Sequence, residues 1–317
     1  MSRPLVITTA FSYGPGDLWP LLHSLRQSAP TADVLVLTAE NDLAALEPLQ
    51  QSFPRLTLEP VERPPRVIRG RLALPRKLAS RSKRWLRQRQ QKLLRQPSIA
   101  IEEARRFGLS TTQAHFLIRR FFWARERLTH SRWRDHGPVM LCDVRDVVVQ
   151  GDPFAGIGEG LITGEEFGLF DHCAINRRWI RRAYGRDAEQ ELCGHPALCA
   201  GVVIGSRQQT LLYLDLFCRE ALELMQRHGT SCLANLDQAI HNRILRRSSA
   251  LQLQLSAVNG PIATVGCVPA EQIQVPAGPE PVEVMGRVPA VIHQYDRRPA
   301  LVEHVRARHG LSHGGHP

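Results

Sequence analysis

The sequence has no run of 18 apolar residues, so no segment reads as a membrane-crossing helix. It also has no Cys-x-x-Cys pair. Its seven cysteines (Cys142, Cys173, Cys193, Cys199, Cys218, Cys232 and Cys267) are scattered, which argues against a zinc site or a disulfide framework and for reduced thiols. Met1-Ser2-Arg3-Pro4-Leu5-Val6-Ile7 runs straight into a strand pattern without a cleavable apolar leader, and the expected compartment is the cytoplasm. Acidic residues are missing from Arg63 to Arg95, where thirteen residues are basic. The chain as a whole carries 41 basic and 30 acidic side chains, a formal +11; without that stretch the other 284 positions net −2. The body is thus near neutral. Aromatics are almost absent from the basic stretch, which holds only Trp85. A nucleic-acid-binding face interleaves aromatics for stacking, so nucleic acid is not the expected partner.

With 317 residues, 43% hydrophobic and 22% charged, the composition is globular and the chain is long enough for a large core. Pro4 to Ala10, Asp33 to Thr38 and Leu56 to Val61 read as strands. They alternate with helical patterns, one from Asp17 with its side chain as N-cap and one from Asn41 to about Ser52. Such alternation predicts an α/β fold with a mainly parallel sheet and helices on both faces. Thr111 to Thr129, Gln208 to Arg227 and Asn235 to Arg246 read as helices. Leu161 to Thr163, Gly201 to Ser206, Ile262 to Cys267 and Ala290 to Tyr295 read as strands.

Asp143 and Asp146 follow the apolar run Val139-Met140-Leu141-Cys142. In open α/β sheets ligands collect at the carboxyl ends of strands, and two carboxylates there suit Mg²⁺ or Mn²⁺ carrying a diphosphate. The competing reading makes one Asp a turn cap and the other a partner of Arg145.

Leu141-Cys142-Asp143-Val144-Arg145-Asp146-Val147-Val148-Val149-Gln150-Gly151-Asp152-Pro153-Phe154 resembles the D-x-R-D-V-V-F-Q-x-D-P-F signature of GT-A-type nucleotide-diphospho-sugar glycosyltransferases. Three further blocks follow in that family's order: Cys199-Ala200-Gly201-Val202-Val203-Ile204-Gly205, Asn235-Leu236-Asp237-Gln238-Ala239-Ile240-His241-Asn242 and Val291-Ile292-His293-Gln294-Tyr295-Asp296. The resemblance implies a GT-A-like Rossmann-type catalytic domain over residues 1–310, with a nucleotide-binding half (1–155) and an acceptor-binding half (156–310). Around it lie a basic helical insert (63–106) and a flexible tail (311–317). It implies transfer of a hexose or pentose from a nucleotide-diphosphate sugar to a glycan or lipid-linked acceptor, assisted by Mn²⁺ or Mg²⁺.

By resemblance, Asp143, Asp146 and His293 hold the metal, while Thr8, Thr9, Ala10, Tyr13, Arg120, Asp143, Val144 and Arg145 bind the nucleotide. Arg120 is preferred to Arg119 as the arginine facing the nucleotide. Asp237 and Gln238 at a helix start, and Glu165 and Glu166 after a strand, are the candidate catalytic residues. Asn176 and Trp179 lie in a candidate acceptor loop. The family's usual metal motif is Asp-x-Asp, and Arg145 stands where the second Asp would fall. Either Asp146 supplies that carboxylate or the Arg145 guanidinium replaces metal charge. Loss of the motif also allows a second function, a non-catalytic nucleotide-sugar or polyanion-binding protein on a degenerate fold.

Residues 76–96 place Leu78, Trp85 and Leu93 on one side of a helix, broadened by Leu86 and Leu94, among basic side chains. That pattern suits an anionic membrane surface, where a lipid-linked acceptor would be met, or a solvated helix packed on the body.

Overall fold

A computed structural model of the chain describes residues 2–62, 116–228 and 236–311. The insert 63–106 with its 76–96 helix, the first residues of the Thr111 to Thr129 stretch, Asn235 and the tail after Leu311 lie outside the described residues. The chain begins with strand β1 (Leu5–Ala10), helix α1 (Pro15–Ser28), β2 (Asp33–Ala39), the short helices α2 (Leu43–Leu46) and α3 (Pro48–Ser52), and β3 (Leu56–Val61). Asp17 is not the N-cap of α1. Gly14 is, and the Asp17 carboxylate reaches back to accept its N–H at 2.9 Å. The helix expected from Asn41 is two pieces divided before Pro48, whose ring and missing N–H interrupt the helical ladder.

There follow α4 (Phe116–Thr129), β4 (Val139–Cys142), β5 (Val147–Val149), β6 (Leu161–Leu169), α5 (Ala174–Tyr184), α6 (Arg186–Leu192), β7 (Pro196–Gly205), α7 (Arg207–His228) and α8 (Asp237–Arg247). The last elements are β8 (Leu253–Ser256), β9 (Ile262–Thr264), β10 (Ile273–Gln274), β11 (Glu283–Val284), β12 (Val291–His293) and α9 (Pro299–Arg308). The main sheet runs β3-β2-β1-β4-β7-β6-β9-β12-β5 with β8 beside β6. It is mixed α/β and mainly parallel, β7 and β5 being the antiparallel members. Successive residues of β1 and β2 feed opposite cores. Leu5, Ile7, Leu35 and Leu37 join the cluster containing α4, α7 and α8, while Val6, Val34 and Val36 join the one containing α1. A strand buried on both faces needs apolar residues at every position, which these sequences supply.

Strands β4 and β5 stand five sheet positions apart, about 24 Å if the sheet were flat. Only residues 143–146 join them, and that connection spans at most about 17 Å. The sheet must therefore curl. The bend falls in β6, which pairs with β8 up to Gly164 and with β9 at Glu166, while its ladder to β7 runs from Leu161 to Leu169 with register shifts on either side of Glu165. Gly164 sits at the corner, where an added Cβ would lie 3.1 Å from the Ile262 side chain.

A buried polar group anchors α8 to this core. His241 is fully buried, its Nδ1 2.8 Å from the Tyr213 hydroxyl and its Nε2 3.3 Å from Thr163 Oγ1. Thr163 donates to the carbonyls of Cys199 and Val202, so its oxygen accepts from Nε2–H and the neutral ring accepts from Tyr213. Burial pushes His241 down to about 3. The unfolded chain takes up a proton near pH 6.5 that the native ring refuses, so stability is intact above that pH and declines below it. Between pH 7 and pH 5 this residue is expected to cost about 2 kcal/mol. Urea midpoints should fall over that interval in the native chain and flatten in His241→Gln; equal slopes would refute the assignment.

Among the described residues no helix is long and apolar enough to cross a membrane, and their six cysteines form no disulfide.

Candidate functional site

β1 and β4 lie side by side and parallel, with β2 and β3 continuing away from β1 on one side and β7 away from β4 on the other. This is a topological switch point, where the carboxyl ends of two strands open a crevice. Thr8 to Ala10 end β1 there, and the turn Asp143 to Asp146 follows β4. Because β5 begins one residue after Asp146, the chain reverses sharply and positions i and i+3 come to one side. Val144 packs into the core at 3% exposure, and Arg145 turns outward with its side chain 55% exposed.

The third member comes from β12. His293 pairs with Val147 of β5 and with Thr264 of β9, which brings its ring over the turn. Its Nε2 lies 3.6 Å from Asp143 Oδ2 and 3.5 Å from Asp146 Oδ2, and one ligand atom from each of the three residues lies within 4.8 Å of the others. Such spacing suits an ion held about 2.0–2.2 Å from each atom, and two carboxylates with one imidazole suit Mg²⁺ or Mn²⁺. The other ring nitrogen, Nδ1, is 3.4 Å from both Cys199 Sγ and Thr264 Oγ1, so the ring's orientation is held from behind. Burial opposes charge on His293, but Cys199 and Asp146 outweigh it and push the ring up to about 10. Burial likewise works against the Asp146 carboxylate, and His293 brings it below its usual value. Cys142, beneath the site, is pushed up to about 12 by burial, so its thiol stays protonated.

The segment 293–296 closes on the turn residue by residue. Gln294 N–H donates to the Asp146 carbonyl at 2.8 Å from a left-handed conformation, φ 63°. The Tyr295 hydroxyl donates to the Arg145 carbonyl at 3.0 Å, and Asp296 takes the Arg145 guanidinium at 3.1 Å. A left-handed non-glycine residue costs about 1–3 kcal/mol and persists where its surroundings fix it. Opposite, Asp143 N–H donates to the Gly201 carbonyl at 2.8 Å. A Cβ at Gly201 would lie 2.2 Å from His293 Cε1 and 2.9 Å from Asp143 Oδ2.

Arg120 of α4 ties this cluster to α8. Its guanidinium contacts Asp143 Oδ1, leaving Oδ2 to face His293, and reaches Asp237 Oδ2 at 3.2 Å and the Ala200 carbonyl at 3.3 Å. Arg119 points elsewhere, to Glu62 at 3.2 Å and over the Trp123 ring. The Arg120 side chain is 11% exposed, and the two carboxylates are 32% and 14% exposed. Arg120→Met would strand two carboxylates in a half-dry site, and a loss of about 2–4 kcal/mol is expected in urea titrations. Arg120→Lys should recover only part, because an ammonium cannot fork between both acids. Full stability in Arg120→Met would refute the bridging role.

No family profile and no curated protein compared with this chain gives a match.

The remaining residues expected from the sequence divide. Glu165 and Glu166 lie within β6, which runs on to Leu169, rather than after it. Glu166 accepts from Asn176 at 3.0 Å and from Gln238 at 3.1 Å, and Gln238 also donates to the Asn176 side-chain oxygen at 2.8 Å. Glu166 pairs with Thr264, next to His293 in the sheet, so this amide and carboxylate network borders the cluster. Glu165 instead acts on Arg246. Thr8 is buried with its hydroxyl at the Cys142 thiol, and the Ala10 carbonyl is taken by Thr38. Thr9 is part-exposed beside them. Tyr13 lies under the Arg145 guanidinium, 5.9 Å from ring centroid to cation. Trp179 is part-exposed and packs against the core.

Gly201, Thr264, Tyr295 and Asp296 are parts of the site that sequence reasoning did not assign. The first lies in the Cys199 to Gly205 block of the resemblance, but its role, leaving room for a ring 92 positions away, has no local sign. Gln150 of the same signature is structural: its amide accepts from Val282 N–H and donates to the Val282 and Pro289 carbonyls.

Proposed function

We propose that the chain is a GT-A-like glycosyltransferase that moves a sugar from a nucleotide-diphosphate donor to a glycan or lipid-linked acceptor, with Mn²⁺ or Mg²⁺ at Asp143, Asp146 and His293. The observation that carries the reading is the cluster of two carboxylates and one imidazole at the β1/β4 switch point. When bound, the divalent ion would neutralise charge on the departing diphosphate. Asp143 and Asp146 provide hard oxygens for it, and His293 a nitrogen whose direction is set by Cys199 and Thr264. Thr8, Thr9 and Ala10 at the end of β1 border the crevice for the nucleoside, and Arg145 above Tyr13 supplies a cation at its mouth. Arg120 fixes Asp143 and Asp237 relative to one another. Asp237 is thereby positioned at the donor sugar, where its carboxylate accepts hydroxyl hydrogen bonds or takes the proton of the acceptor hydroxyl. Glu166, held by Asn176 and Gln238, is the second carboxylate on the acceptor side.

Isothermal titration with a panel of nucleotide diphosphates, with and without Mn²⁺, tests the reading. At least one is expected to bind in a Mn²⁺-dependent manner and to lose that dependence in Asp143→Ala. Binding of none, with Asp143→Ala indistinguishable from the native chain, would overturn it.

A further inference from the structure

Away from the acidic cluster, a cavity of about 280 Å³ opens between α6 and the second half of α8, at the start of β7. Arg243, Arg246, Arg247, His195 and Glu191 line it, over Leu192. The three arginines stand at i, i+3 and i+4 of one helix and so share a face, an arrangement of like charges that costs stability unless it is compensated. Glu191 compensates part. It receives Arg247 at 2.6 and 2.8 Å and Arg243 at 3.3 Å. Arg246 is different. It donates through Nη2 to the Pro196 carbonyl at 2.8 Å, its Nε is buried without a partner, and among the described residues no carboxylate lies within ion-pair distance. Glu165 acts on it only at longer range, and burial lowers its affinity for its own proton. Arg243 is steadied by the face of Tyr184, 4.9 Å away, so the fork is preorganised.

Three guanidiniums against one carboxylate leave a formal excess of two positive charges around a partly open cavity, matched by a phosphomonoester close to its dianionic form at neutral pH. We propose that this pocket binds a phosphoryl group, carried by the acceptor substrate. The location supports an acceptor. β7 runs from Pro196, held by Arg246, to Ala200, whose carbonyl takes Arg120, four residues or about 13 Å. A molecule anchored by its phosphoryl group here would have to extend by about that length to present its other end to Asp237. Assigning the group to an acceptor rests on the transferase reading; the pocket's affinity for an oxyanion does not.

Calorimetric titration of the full chain with inorganic phosphate and with glycerol 3-phosphate tests this in the native protein, Arg243→Gln, Arg246→Gln, Arg246→Lys and Asp143→Asn. The expected result is saturable binding of the ester, weakened at least about 10-fold in both Gln variants, partly kept in Arg246→Lys and unchanged in Asp143→Asn. Thermal melts of the variants verify folding. Binding that ignores the Gln substitutions, or no binding of either anion, overturns the pocket. Binding that needs added Mn²⁺ and is lost in Asp143→Asn places the anion at the acidic cluster and overturns it too. Inorganic phosphate bound in preference to the ester overturns the acceptor assignment. Failure of nucleotide diphosphates to bind with Mn²⁺ would strike the transferase reading while leaving the oxyanion result standing.

Discussion

Gly201→Ala is expected to abolish divalent-ion binding while leaving the chain folded. The added methyl would stand 2.2 Å from His293 Cε1, 2.3 Å from Nε2 and 2.9 Å from Asp143 Oδ2. His293 cannot withdraw. It is 2% exposed, and Cys199 and Thr264 sit behind Nδ1. Gly201 cannot withdraw either, since its carbonyl holds Asp143 N–H and its neighbours pair with β4. Overpacking a fixed position costs about 1–3 kcal/mol, and displacing a ligand ring by a bond length removes its lone pair from the ion. We expect at least about a 100-fold loss of Mn²⁺ affinity by calorimetry, the upper end of what misorienting a ligand shell costs, with a melting temperature lowered by several degrees. Retained affinity would mean that the three side chains do not act together.

The second large effect separates the two readings of the Asp-Val-Arg-Asp turn. Asp146→Asn should reduce Mn²⁺-dependent binding of a nucleotide diphosphate by about 100-fold or more, because it removes a charged ligand 3.5 Å from the imidazole. Arg145→Ala should change it by less than about 10-fold. Its guanidinium is half exposed and paired with Asp296, and an exposed pair of this kind is worth at most about 1 kcal/mol, roughly fivefold in affinity. The reverse ranking would move the diphosphate out to Arg145 and leave Asp146 a partner of His293 alone.

The order of these effects was partly legible in the sequence. An apolar run followed by two carboxylates marks a strand end, and in a turn of four residues the first and last side chains meet. This is why Asp146 rather than position 145 joins Asp143. The choice of Arg120 over Arg119 has only the resemblance behind it in the sequence, since adjacent helix residues differ by 100° and the packing of α4 alone shows which points inward. What pairs at long range was hidden. β12 lies inside the strand read over Ala290 to Tyr295, but nothing local shows that its neighbours are β9 and the three-residue β5, a pairing that sets His293 opposite Val147. The length of β6, and with it the parting of Glu165 from Glu166, depends on the bend at Gly164 and on two different neighbours. Asp17 looked like a cap because cap and N3 acids differ only in where the helix begins, which Gly14 decides.

The clasp between 293–296 and the Asp143–Asp146 turn joins residues 150 positions apart. During translation the acidic turn is finished early, yet it stays without its imidazole, its Tyr295 tether and the Asp296 partner of Arg145 until the strand that carries them emerges. A partial chain therefore has the two carboxylates without the imidazole that completes the set. On the proposed reading, competence to bind the ion is complete only late in synthesis, and a cut anywhere between β11 and Asp296 is expected to lower Mn²⁺ affinity in a calorimetric titration.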